Sequence, residues 1–126
     1  MIWSSPKYLE LCYQLKDTPL EFVISPGTRV ARGYADVGFE EFCVLQNNKM
    51  VSIHSGEIFE IDLEHVFVVP SLEQLLMTIP NEFEVVINSS GFLINKREYN
   101  SFEIGLLREL LLYFNVKSPL PRIVAQ

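Results

Sequence analysis

Two histidines, His54 and His65, and the carboxylates around them are the residues of this chain whose types and spacing could do chemistry. The stretches His54-Ser55-Gly56-Glu57 and Asp62-Leu63-Glu64-His65 put an imidazole next to acids, and two such ends brought together could form a His₂-carboxylate metal site. A Ser-His-Asp or Cys-His constellation would also have to use one of these two rings. Neither ring sits in a pattern that specifies such a site, and a histidine beside surface acids is ordinarily solvated or bonded to a neighbour. Paired carboxylates divide acid and base roles only where their environments push their pKa values apart, and acids on an exposed strand face simply stay ionised. The glycines form neither a dinucleotide-binding nor a phosphate-cradling pattern. The expectation is therefore a protein that is not an enzyme and uses no metal and no cofactor.

Charge is the stronger signal. From Asp36 to Glu84 the chain carries ten carboxylates against one cation, Lys49, while the flanks are mildly basic, so the formal −6 of the whole chain is concentrated in its middle. A negative field of that kind attracts basic partners and repels nucleic-acid backbone and anionic lipid. With scattered cations and a pI near 4.9, no nucleic-acid binding and no membrane association are expected. The first six residues lack the basic and apolar regions of a secretory signal, which predicts a cytoplasmic location.

Positioning these residues falls to a chain of 126 residues, the size of one domain spanning 1–126. Ser5-Pro6 starts a helix over about 6–16, with Tyr8, Leu11, Cys12 and Leu15 as its apolar stripe. Residues 20–24 favour a strand, and 28–39 are undecided. Strands over 41–46 and 50–54 flank Asn47-Asn48-Lys49, a hairpin signature. Over 57–69, Phe59, Ile61 and Leu63 alternate with Glu60, Asp62 and Glu64, the period of a half-buried strand with a carboxylate ladder on its open face. Ser71 and Gln74 stand at capping-box spacing before a short helix to about 79. A second hairpin over 82–96 turns at Asn88-Ser89-Ser90-Gly91 and should bury Phe83, Val85 and Ile87. Asn100 or Ser101 caps a last helix over about 102–115, and the proline-rich tail at 118–122 should lie extended along the body. Cys12 and Cys43, each in an apolar run, read as free buried thiols.

The order predicts an α+β fold: a mostly antiparallel sheet built from two hairpins and an amphipathic acidic strand, with about three helices packed on it. The function expected is that of a small acidic binding protein that neutralises or regulates a basic protein partner. An immunity protein for a nuclease toxin is the specific form of that expectation, with Glu57, Glu60, Asp62 and Glu64 as the partner-binding residues. The alternative is an assembly or regulatory subunit that binds through hydrophobic surface, using the last helix, Trp3 and the proline-rich tail.

Overall fold

A computed structural model describes residues 4–34 and 38–114. The fold is α+β, with three helices and eight strands in two antiparallel sheets among the described residues. Helix α1 (Pro6–Leu15) begins where Ser5 Oγ accepts the Tyr8 amide, with proline at the first helical position. Strands β1 (Arg29–Tyr34), β2 (Gly38–Val44), β3 (Lys49–Ser52) and β4 (Ile58–Glu60) follow as a meander. Strand β5 (Phe67–Val69) then returns to pair with β1, giving the order β4-β3-β2-β1-β5. Helix α2 (Leu72–Leu76) carries the full capping box between Ser71 and Gln74. The second sheet is a meander of β6 (Val85–Asn88), β7 (Gly91–Ile94) and β8 (Arg97–Tyr99), and α3 (Phe102–Tyr113), capped by Ser101, closes the fold.

Both faces of the first sheet are used. Ala31, Phe67 and Val69 pack with Leu9, Cys12 and Leu15 of α1 and Leu106, Leu107 and Leu110 of α3. On the opposite face Val30, Phe42, Val44 and Met50 form a second cluster, covered by Ile24, Phe59, Ile61, Val66 and Val68. Burying both faces leaves little room for a polar sheet surface, and the charges that do lie on β1 and β2, Arg29, Arg32, Glu40 and Glu41, are paired with one another.

Four expectations are corrected. Residues 20–24 form no strand: Leu20, Phe22 and Ile24 alternate inward as the sequence suggests, but no neighbouring chain offers them a ladder. The acidic stretch 57–69 is not one strand but β4, a turn and β5. On the first arm of the second hairpin only Phe83 packs against the core, half-buried, while Val85 and Ile87 are 36% and 69% exposed. Beyond it lies a strand the sequence reading missed, β8, reached through Asn95 and Lys96 at φ 52° and 71°. Trp3 and the tail at 118–122 lie outside the described residues.

Candidate functional site: an acidic edge

Strand β4 is an outer strand, paired only with β3 in the register Lys49↔Glu60, Met50↔Phe59 and Val51↔Ile58. Alternation turns Phe59 inward, where its ring meets Phe42 edge-on at 5.8 Å, and turns Ile58 and Glu60 outward. The alternation then stops at Asp62. Its carboxylate accepts the backbone amide of Glu64 at 3.2 Å and faces His65 Nδ1 at 2.6 Å, while its carbonyl accepts the His65 amide at 3.0 Å. Asp is a strong turn former because its side chain can bond the backbone two residues on, and here that local bond overrides the strand period. The turn swings Leu63 into solvent at 64% exposure, where the strand reading had buried it.

Glu57, Glu60, Asp62 and Glu64 are all exposed and lie on β4 and the segments flanking it, but they do not form one uniform ladder. Glu60 is ion-paired with Lys49 across the two strands, and Asp62 is held by His65. That hydrogen bond from His65, with the Glu64 amide, keeps the Asp62 carboxyl below its usual range. Glu57 and Glu64 have no cationic partner among the described residues. The edge therefore presents a net charge closer to −3 than to −4 when His65 is neutral. Two aliphatic side chains stand among the acids: Ile58, 61% exposed, and Leu63.

The remaining acids of the middle segment serve other ends. Glu41 is fully buried, accepting from Ser4 N at 2.7 Å, Ser4 Oγ at 3.0 Å and Arg29 Nη1 at 3.0 Å. Glu40 accepts from Tyr34 Oη at 2.6 Å and Ser52 Oγ at 2.7 Å, with Arg32 3.8 Å away. Burial alone would raise the Glu40 carboxyl, but these hydrogen bonds prevail and hold it low. Arg32 in turn lies over the rings of Tyr34, Phe42 and Phe59 at 5.2 to 5.6 Å. The pair Arg32↔Glu40 is a direct cross-strand neighbour, so pairing β1 with β2 in the sequence would have located it.

A cleft of about 840 Å³ is lined by Arg29, Glu41, Tyr8 and the three helix-capping serines, Ser5, Ser71 and Ser101. Its buried acid is already saturated by Ser4 and Arg29, and the Tyr8 hydroxyl donates to the Pro70 carbonyl at 2.9 Å. These groups tie helix ends to the sheet. His54 and His65 are both exposed, and no group of three metal-ligating side chains occurs among the described residues. Cys12, buried, and Cys43, half-buried, are free. The apolar face of α3 named in the hydrophobic alternative is already covered, with Leu106, Leu107 and Leu110 at 0% exposure. No helix among the described residues is long and apolar enough to cross a membrane. No protein-family model, no curated protein and no solved structure matches this chain.

Proposed function

We propose that this chain is a small acidic binding protein that neutralises or regulates a basic protein partner, in the manner of an immunity protein that covers the cationic cleft of a nuclease toxin. The observation that supports it is the β4 edge, where exposed Ile58 and Leu63 stand among the exposed carboxylates Glu57, Glu60, Asp62 and Glu64. That is the composition of a protein-recognition surface: aliphatic anchors that lose water on contact, surrounded by charges that steer the encounter and set orientation. Glu57 and Glu64, which have no cationic partner among the described residues, carry most of the steering. Glu60 and Asp62 must exchange Lys49 and His65 for the partner's cations, so their contribution to affinity is smaller.

The test is capture of a basic protein from the native host at low salt, followed by rate measurements on the purified pair. Changing Glu57, Glu60 and Glu64 to Gln and Asp62 to Asn should leave the fold intact and slow association by roughly an order of magnitude at low salt. Ile58→Ala with Leu63→Ala should instead speed dissociation. An association rate that is the same for the neutralised variant and the native chain overturns the proposal.

A further inference from the structure

The exposed edge of the second sheet carries a separate assembly signal. Strand β6 is the outer strand of the order β6-β7-β8, and all four of its residues are exposed. Edge strands are normally blunted by charge, proline or a bulge. Among the other outer strands, β4 carries Glu60 and β8 carries Arg97 and Glu98, while β5, also uncharged, is only three residues long, stops at Pro70 and has Phe67 and Val69 buried. Strand β6 reads Val85-Val86-Ile87-Asn88, with neither charge nor proline, and pairs with β7 in unbroken register from Val85↔Ile94 to Asn88↔Gly91.

The direction of its backbone groups follows from the neighbouring bonds. Glu84 donates its amide to Asn95 Oδ1 at 2.9 Å and accepts the Asn95 amide at 2.8 Å, so its polar groups face β7. In an antiparallel ladder this orientation alternates, which turns the amides and carbonyls of Val85 and Ile87 outward, away from β7. We infer that β6 pairs with β6 of a second copy of this chain, antiparallel about a two-fold axis at Val86, joining two three-stranded sheets into one of six strands.

Self-pairing is favoured over a foreign strand because this register satisfies the edge in full. With Val85 opposite Ile87 of the second copy, and Ile87 opposite Val85, all four outward-facing groups of each strand are bonded. Centring the axis on Val85 or on Ile87 leaves some of them unmet. The Val86 register also sets Glu84 opposite Asn88, so no two acids face each other across the seam. Three aliphatic side chains a side make a small interface, below the roughly 1,200 Å² of strong complexes, and therefore a dimer dissociating in the micromolar range or weaker. Each copy carries a formal −6, so salt strengthens this dimer by screening repulsion as the Debye length shortens from about 10 Å at 0.1 M to about 3 Å at 1 M. Salt weakens the proposed complex with a basic partner, so the two readings fail separately.

The experiment is sedimentation velocity on the full chain from micromolar to millimolar concentration, with site-directed crosslinking to fix the register. A concentration-dependent monomer–dimer equilibrium is expected, tightened by salt, and weakened about tenfold or more by Ile87→Lys, whose side chain is already 69% exposed in the monomer. In a Cys43→Ser background, Val86→Cys should give a disulfide-linked dimer on air oxidation. Facing residues of a non-hydrogen-bonded pair lie about 4.5 Å apart at Cα, within disulfide reach. Val85→Cys and Ile87→Cys should link far more slowly. A monomer up to millimolar concentration, crosslinking that does not favour position 86, or an Ile87→Lys dimer as tight as the native one each overturns the inference.

Discussion

Arg97→Ala should destabilise the fold more than Glu109→Gln, although Arg97 is the exposed partner and Glu109 the buried one. Glu109 is 2% exposed, in the middle of α3, and accepts two contacts from Arg97 Nη1 at 2.8 and 3.0 Å. Asn95 Nδ2 donates to the same carboxylate at 3.2 Å, and the Tyr99 hydroxyl also donates to it. Glutamine at 109 keeps a carbonyl acceptor and leaves Arg97, with 58% of its side chain in water, free to solvate, so the loss is the net value of one or two charged hydrogen bonds, about 2 kcal/mol. Alanine at 97 strands a buried carboxylate with two neutral donors, a situation that costs about 3 to 5 kcal/mol. Urea unfolding followed by far-UV circular dichroism at neutral pH measures both. The double variant should be more stable than Arg97→Ala alone, because removing the stranded charge relieves the penalty, and Arg97→Ala should regain stability on acidification. If Glu109→Gln is the costlier change, or if the double variant loses the sum of the two, the buried charge is not what organises this junction.

Gly105→Ala should destabilise by about 1 to 3 kcal/mol despite alanine's better helix propensity, because a Cβ there would lie 2.8 Å from the Tyr99 ring and 2.9 Å from Ile94 Cδ1. A neutral or stabilising outcome in thermal melts would show that the second sheet can slide on α3. Burial and the charges of Cys12, Glu103 and Glu41 push the Tyr8 hydroxyl up, burial and the Glu109 bond push Tyr99 up, and the Glu82 bond raises Tyr113. The folded state thus holds these protons more tightly than the unfolded chain. The stability these three tyrosines contribute should be fully present below about pH 10 and fall as pH rises further, with phenolate absorbance from the native fold lagging free tyrosine; native-state titration of all five tyrosines together near pH 10 would contradict this. Cys12 is 1% exposed and burial raises its thiol pKa, so a thiol reagent should modify only Cys43 in the native protein and both in denaturant. Rapid modification of both in the folded state would mean that α1 opens.

Helix starts were the most legible part of this chain, because Ser5-Pro6, Ser71 with Gln74, and Ser101 each satisfy free amides within a few residues and need no tertiary partner. The Asn47-Asn48 hairpin was legible for the same reason, with both residues at φ 61°. What failed was anything decided by a distant neighbour. The letters of 20–24 describe alternate burial correctly, yet among the described residues this segment joins no ladder. Strand β1 contains Ala31 and Gly33, poor strand formers that are drawn into the sheet by pairing with β2, with β5 pairing Ala31 on the other side as well. Of the candidate site, the position of Glu60 opposite Phe59 followed from period two, whereas the turn at Asp62 followed from side-chain chemistry that the same period concealed. The concentration of charge between 36 and 84 was legible as composition only. Glu40 and Glu41 lie in one strand, but their separate burial against Arg32 and Arg29 depends on a register that the sequence leaves open.

The return of β5 to β1 has a consequence for how the protein reaches its fold. Strands β1 to β4 pair with their sequence neighbours and β6 to β8 do likewise, so these contacts close short loops and form early. The pairing Arg29↔Val69 instead closes a loop of about forty residues, and α1 must reach across the chain to dock on β5 and α3, so these contacts are expected to form after the local ones. Until it forms, β1 exposes Val30 and Ala31 on an unpaired margin, both at 0% exposure once folding is complete. A chain interrupted between residues 61 and 66 would hold that aggregation-prone intermediate permanently, while an interruption between 89 and 100 would spare the first sheet and damage only its neighbour.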